Sequence, residues 1–263
     1  MKSISDQIKD IKNHGYSLDF SNVFNLAFEN YKKIAVYAGL ILLVFSVLFG
    51  ITAGVILILI FGVDKVDGAK LLTIQPQLLS QTQLVYYIFG TAIFSAIFSP
   101  FTAGFLKMAD CAQKDEEFKV ATVFTYYKNR YFLQIFLATF TVSLLNVAIG
   151  TFLELQQLNA LGLAISLFLS FFTFLIIPLI IFGNLKAFDA IKSSFIIISK
   201  QPAILLALII TIIGAIIVGF MAFCIGILFT IPFSYSMTYA IYCSIFTIDK
   251  EDPIDSIGKS DLE

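Results

Sequence analysis

The chain has 263 residues, of which 59% are apolar and 13% are charged, and its formal net charge at pH 7 is −1. This composition excludes an ordinary soluble domain, in which about 25% of residues are charged. The near-neutral charge gives no reason to expect a nucleic-acid partner. With one histidine, His14, and three cysteines in no disulfide or metal-binding spacing, we expect no metal, no cofactor and no enzymatic activity.

Residues 1–33 are polar and charged, without the early apolar core or small-residue cleavage site of a signal peptide. We interpret residues 1–17 as a cytosolic N-terminal segment. The first apolar stretch then serves as an uncleaved signal anchor.

Six stretches are long and apolar enough to be membrane-spanning helices, which need about 20 residues. Residues 201–248 are uncharged throughout, and as one helix they would be about 72 Å long, so we expect them to fold back between Gly219 and Gly226. The predicted spans are 34–63, 84–106, 131–153, 161–182, 203–220 and 225–248.

The flanking charges predict the orientation of these spans. Segments 1–33, 107–130, 184–202 and 249–263 share one side and contain all of the 17 basic residues except Lys65 and Lys70. We therefore expect both termini to be cytoplasmic. The outer segment 64–83 is interpreted as a mobile loop, with a short interfacial helix as the alternative.

An amphipathic segment rich in Phe and Lys precedes each pair of spans, in the forms SNVFNLAFENYKKI, ATVFTYYKNRYFLQI and LKAFDAIKSSFIII. Such segments are typical of helices that lie in the headgroup plane, here on the cytoplasmic side. The aromatic residues expected on this interfacial face are Phe24, Phe28, Phe124, Tyr127, Phe188 and Phe195. Three unrelated juxtamembrane helices are the alternative interpretation.

One proline lies in the second span of each pair: Pro100, Pro178 and Pro232. Proline removes a backbone hydrogen bond and kinks a helix, so three kinks at one depth would open a cavity toward the cytoplasmic leaflet. The alternative is that proline is simply frequent in membrane helices.

The predicted fold class is an all-α, polytopic membrane protein with six transmembrane helices in three helical hairpins, each preceded by a cytoplasmic-side amphipathic helix. The membrane domain is 18–248, with pseudo-repeats at about 18–106, 118–183 and 184–248. Residues 249–263 are an acidic cytosolic tail, expected to be disordered.

No charged residue lies in the middle of a predicted span, which argues against an ion-coupled pump or a proton relay. The candidate polar residues are Asn146, Ser234, Tyr235 and Tyr239. They either form interhelical hydrogen bonds or line a site for a lipid headgroup or small solute.

The run IIPLIIFGNLKAFDAIKSSFIII, with its matched prolines and Gly-rich turn, resembles a bacterial six-span integral membrane family. That family includes the membrane domain fused to glycerophosphoryl diester phosphodiesterases, together with largely uncharacterised stand-alone members. The resemblance covers most of residues 18–248 and implies a multi-pass protein of the bacterial cytoplasmic (inner) membrane. It brings no catalytic residues.

From these patterns we expect a non-enzymatic integral membrane protein that is a lipid-associated scaffold, assembly factor or partner-recruiting module. Its expected partners are membrane lipids and another membrane protein or a second copy of the chain. The alternative is a permease or channel-like transporter for a neutral or amphiphilic solute, which requires a pore or vestibule lined by Asn146, Ser234 and Tyr239.

Overall fold

The computed structural model describes residues 3–61, 76–128, 130–221 and 225–246, and this part of the chain is helical, without a strand. The α-helices are α1 (Ile4–His14), α2 (Phe20–Phe61), α3 (Gln81–Gln113), α4 (Phe132–Leu155), α5 (Asn159–Thr173), α6 (Ile176–Ile181), α7 (Ala187–Lys200), α8 (Pro202–Met221) and α9 (Ile225–Ile245). Two 3₁₀ segments are Pro76–Leu78 and Val120–Tyr127. The predictions for most of the outer loop and for the acidic tail lie outside the described residues.

Five helical stretches of the described chain are long and apolar enough to cross a membrane. They are Phe20–Thr52, Gln81–Gln113, Phe132–Leu155, Asn159–Ile181 and Pro202–Met221. Only 11% to 33% of their most apolar windows is buried inside the protein, so most of this apolar surface faces outward. Exposed apolar surface on this scale is expected of a multi-pass membrane protein. The last predicted span, α9, is not among the five.

Contacts along the helices show their relative directions. Phe45 of α2 contacts Phe101 of α3, whereas Phe49, one turn later, contacts Phe94, so α2 and α3 are antiparallel. In contrast, α3 and α9 are parallel, because Phe105 stacks on Tyr235 and, further along both helices, Asp110 contacts Tyr239. The C-terminal ends of α3 and α9 therefore lie at the same end of the bundle.

Buried residues are concentrated at that end. In the longer elements they occupy 23–41 of α2, 92–112 of α3, 135–138 of α4, 175–181, 187–198 of α7, 205–208 of α8 and 232–246. We call this region the packed half and the remainder of the long helices the open half. In the described open half, α5 has no buried residue and α2 has none from 42 to 52. Thr151 and Leu153 of α4 and Gly219 of α8 are local exceptions, since they are buried. The bundle is thus closely packed at one end and loosely packed at the other.

The predicted amphipathic segments take three different forms. The first continues without a break into the apolar part of α2, the second is the 3₁₀ segment Val120–Tyr127, and the third is the separate helix α7. The first segment lacks a proline or glycine between Phe20 and Ala38, so nothing in it interrupts the helix. The second lies directly on α3, where a Cβ at Gly104 would be 2.5 Å from the carbonyl carbon of Val123.

The N-terminal segment also contains a helix that the sequence analysis did not predict. Ser3 caps α1 through a hydrogen bond from the Asp6 amide, and Gly15 ends it with a φ of 74°. Ile8 and Ile11 are buried, and α1 packs against α7. The i, i+3 and i+4 spacing of Ile4, Ile8 and Ile11 was the available signal for this helix.

Candidate functional site

The best-defined polar site is a buried carboxylate in the packed half. The Asp110 side chain is 4% exposed. The Tyr239 hydroxyl donates to its Oδ1 at 2.7 Å, and the Lys107 and Lys114 ammonium groups lie 2.6 Å from Oδ2 and 3.0 Å from Oδ1. We call Asp110, Lys107, Lys114 and Tyr239 the Asp110 cluster.

Two helices and a short connection position this cluster. The ring of Phe105 on α3 stacks on Tyr235 of α9 with centroids 5.0 Å apart, which sets the register of the two helices one turn before Asp110 meets Tyr239. Phe182, just after α6, closes the other side, with its ring 5.2 Å from that of Tyr239. The site therefore depends on residues far apart in the chain.

The buried charge of Asp110 is compensated by the other members of the cluster. A buried charge is costly unless it is paired and hydrogen-bonded, and here one carboxylate meets two ammonium groups and a hydroxyl. A carboxylate accepts about four hydrogen bonds, so most of its capacity is occupied. This arrangement suits a group that joins helices and is poorly suited to a free general base.

The 3₁₀ segment adds a tyrosine beside the cluster. Burial raises the pKa of the Tyr126 phenol, and the negative charge of Asp110 raises it further. The phenol therefore stays protonated at neutral pH.

Three buried polar atoms of the described packed half have no hydrogen-bond partner: Asn30 Nδ2, Ser236 Oγ and Tyr242 Oη. Asn30 lies on α2 and the other two lie on α9, and these two helices form an extensive contact. An unpaired buried polar group costs about 1–3 kcal/mol. The α2–α9 contact is therefore held by its apolar and aromatic packing, including Phe233, whose ring meets both Phe24 and Tyr31.

The four predicted polar residues do not share one surface. Tyr239 belongs to the Asp110 cluster, Tyr235 stacks on Phe105, and the Ser234 hydroxyl donates to the Ile231 carbonyl of its own helix. Asn146 lies on α4, which packs mainly against α3, α5 and α7, whereas α9 packs mainly against α2, α3 and α8. The structure thus brings Tyr235 and Tyr239 to α3 and leaves Asn146 on the other side of it.

The three prolines occupy two kinds of position. Pro100 and Pro232 lie inside continuous helices, whereas Pro178 is in the first turn of α6, where proline is tolerated. At Pro100 the carbonyl left without its helical partner is that of Ala96, and the Ser99 hydroxyl donates to it at 2.9 Å.

At Pro232 the carbonyl without its helical partner is that of Leu228. This oxygen lies against Gly39 of α2, where a Cβ would be 3.2 Å from it. Glycine thus lets α2 approach the uncovered backbone of α9.

The predicted interfacial aromatic residues are partly exposed, and several form contacts. Phe24 stacks between Phe20 and Phe28, Phe124 contacts Phe45 and Phe101, and the Tyr127 hydroxyl donates to the Ile97 carbonyl. On α7, Phe195 stacks on Phe172, whereas Phe188 is 68% exposed. Phe188 is therefore the most exposed member of this set.

A second polar feature is a cleft of about 410 Å³ between α4 and α5 in the open half. Its lining residues are Gly150, Glu154, Asn159, Gly162, Leu163 and Ser166. The Gln77 amide donates to the backbone oxygen of Glu154 at 3.3 Å and to its Oε1 at 3.4 Å. We call this the Glu154 cleft.

The sequence places segment 107–130, which begins with Lys107, on the predicted cytoplasmic side, but it does not identify a site there. The available signal was local, because Lys107, Asp110 and Lys114 are spaced i, i+3 and i+7 and so share one helix face. No sequence pattern connects them to Tyr239. The Glu154 cleft was also missed, since it depends on how α4 and α5 pack.

The fold and these sites define the class of the molecule as an all-helical, multi-pass membrane protein. In the described residues, no group of three or more His, Cys, Asp or Glu side chains is placed to hold a metal ion. No protein-family model, curated protein or solved structure matches the chain.

Proposed function

We propose that this chain is a non-enzymatic, lipid-associated integral membrane protein of the bacterial cytoplasmic membrane, which acts as a scaffold, assembly or partner-recruiting module. The observation that carries this proposal is the division of the bundle into a packed and an open half. We also propose membership of the bacterial six-span family that the prolines and the α7 motif resemble.

The packed half supplies the rigid part of such a module. Its helices are joined by the Asp110 cluster and by Lys33, whose ammonium group binds the Ala112 carbonyl at 2.9 Å and lies 2.5 Å from the Asp115 carboxylate. Charged and aromatic side chains at this end fix the relative positions of α2, α3 and α9. A partner or headgroup layer on this face meets a preformed surface.

The open half supplies the lipid-associated part. Large apolar side chains such as Val47, Leu145 and Leu163 are about half or more exposed there. Because apolar surface is stable in hydrocarbon and costly in water, lipid chains take the place that core side chains occupy in the packed half.

The proposed topology has six spans in three hairpins, with α9 as the sixth span and the packed half at the cytoplasmic side. α9 has 21 residues, enough to cross a bilayer. It is not among the five most apolar helical stretches, and hydroxyl-bearing side chains follow Pro232 in it. The basic residues Lys33, Lys107, Lys114, Lys128 and Arg130 lie at the packed end, which favours the cytoplasmic side.

The permease alternative is less well supported by the packing. Tyr239 is 1% exposed and bonded to Asp110, and Asn146 lies on a helix that does not pack extensively on α9. A shared path lined by these residues therefore requires a different arrangement of the packed half.

A photocrosslinking experiment in native membranes tests the proposed function. The probe p-benzoylphenylalanine at Phe188, which is 68% exposed, is expected to form adducts with lipid or with another membrane protein. Ile198 on the same helix is 0% exposed and is the matched control, where only internal crosslinks are expected. Capture of neither lipid nor protein from Phe188 contradicts the proposal.

A further inference from the structure

The Glu154 cleft combines a carboxylate and two further polar side chains with the apolar side chain of Leu163. Gly150 and Glu154 are one turn apart on α4, and Asn159, Leu163 and Ser166 follow one face of α5. Its volume of about 410 Å³ is within the range of small-molecule sites, roughly 300–1,000 Å³. The polar groups lie beside Leu163, which is 63% exposed, so a ligand here meets both polar and apolar surface, as in a site for an amphiphile.

Two glycines explain why there is space between these helices. A Cβ at Gly150 would meet no heavy atom within 4 Å, and one at Gly162 would be 3.6 Å from Leu153 Cβ. The helices approach each other at Gly162, while the cleft stays open beside Gly150. A larger side chain at position 150 can therefore enter the cleft without displacing the backbone.

The negative charge of Glu154 in the open half favours a ligand with a cationic group. In the described part of the open half, Glu154 is the one charged side chain, and Gln77, a neutral amide, is its hydrogen-bond partner. Residues 62–75, which precede Gln77 in the chain, contain two aspartates and two lysines and so carry no net charge. A carboxylate next to hydrocarbon gains most from a partner with an ammonium group.

We propose that the Glu154 cleft binds a lipid with an ammonium-bearing headgroup, of the phosphatidylethanolamine type. This inference rests on the proposed lipid association and names the lipid class. The ammonium group meets the Glu154 carboxylate, the Asn159 side chain lies beside the headgroup, and an acyl chain runs along Leu163 toward the packed half. An anionic headgroup without an ammonium is repelled by the same carboxylate.

Native mass spectrometry of the purified full chain tests the lipid class. The probes are phosphatidylethanolamine and phosphatidylglycerol with identical acyl chains. We expect about tenfold tighter binding of phosphatidylethanolamine, as for one charge-assisted hydrogen bond. Glu154→Gln is expected to remove most of this preference, and Gly150→Leu to abolish binding of both lipids at the cleft.

Two controls separate the cleft from the general surface. Glu29→Gln removes an exposed carboxylate at the packed end, and Gly214→Leu adds a side chain at a helical glycine whose Cβ would also meet no atom. Both variants are expected to retain the wild-type preference. Equal binding of the two lipids by the wild type, or an unchanged preference in Glu154→Gln, overturns the cleft proposal. Loss of all lipid from the wild type instead counts against the proposed function itself.

Discussion

At the residue scale, the Asp110 cluster shows how this bundle accommodates a charge. Asp110 is located where α3 and α9 meet, and its carboxylate accepts from the side chains of Tyr239, Lys107 and Lys114. Removal of one donor leaves part of the buried carboxylate without a partner. Such a loss is more costly than the net contribution of the hydrogen bond alone.

The Tyr239→Phe variant tests the contribution of the hydroxyl. We expect its free energy of unfolding to fall by about 1–2 kcal/mol, because the ring still packs on Phe182 while Asp110 loses a donor. The measurement is a denaturant titration in detergent micelles. Tyr86→Phe, at an exposed tyrosine on α3, is the control and is expected to unfold as the wild type does.

Gly104 provides a second prediction at the residue scale. Gly104→Ala is expected to lower the free energy of unfolding by about 1–3 kcal/mol, because its Cβ meets the backbone of Val123, which cannot move aside as a side chain tip can. Gly90→Ala on the same helix adds a methyl group in open space, so no loss is expected. Equal stability of the two variants in the same titration would show that the 3₁₀ segment does not rest on α3 here.

At the element scale, proline is accommodated differently in the three helices. Ser99 donates to the carbonyl exposed by Pro100, Gly39 lets α2 cover the carbonyl exposed by Pro232, and Pro178 lies in the first turn of the short helix α6. Inside a membrane helix, neighbouring groups must compensate for the hydrogen bond that a proline removes. The sequence does not predict which groups do so, because those on α2 are about 190 residues away from Pro232 in the chain.

The N-terminal helix α1 is held on the bundle by side-chain packing and hydrogen bonds. Ile8 and Ile11 are buried against the rest of the protein, the Tyr16 hydroxyl donates to the Ile197 carbonyl at 3.1 Å, and Gln201 donates to the Tyr16 carbonyl at 2.7 Å. These contacts hold the N-terminal helix on α7 and the residue that follows it. They place the polar N-terminus next to the proposed headgroup surface.

The Ile11→Asp variant is expected to release α1, because burial of an unpaired carboxylate costs more than the helix gains from docking. Limited trypsin digestion of the purified protein should then cleave after Lys9 and Lys12 at least tenfold faster than in the wild type. Lys12→Asp changes a neighbouring exposed residue and is expected to leave the rate of cleavage after Lys9 almost unchanged. Identical rates for Ile11→Asp and the wild type would mean that Ile11 does not hold the helix.

At the scale of the whole molecule, close packing and ion pairs are concentrated at the same end of the bundle. The described packed half contains the ion pairs of Lys33, Lys107 and Lys114, whereas the described open half contains Glu154 and wide apolar surfaces. A bundle of this kind is closed at one end and accessible to lipid at the other. The two proposals follow from this asymmetry.

Cysteine labelling in intact cells tests the orientation of the whole molecule. In a variant without Cys111, Cys224 and Cys243, we expect a membrane-impermeant maleimide to label Leu78→Cys in intact cells and Lys128→Cys only after the membrane is opened. Both positions are exposed. The reverse pattern would place the packed half outside, and labelling of both in intact cells would contradict an odd number of crossings between them.

The orientation that the basic residues indicate stays a prediction, whereas the helical class and the positions of the apolar stretches follow from the sequence alone. These properties depend on composition and on residues close together in the chain, since a membrane helix satisfies its own backbone hydrogen bonds. That the three amphipathic segments are interfacial helices stays a prediction. Packing, which the sequence does not show, makes one of them an extension of α2, one a 3₁₀ segment and one a separate helix. The Asp110 cluster and the Glu154 cleft also required the tertiary structure, because each is made by side chains on different helices, whose register is set by packing.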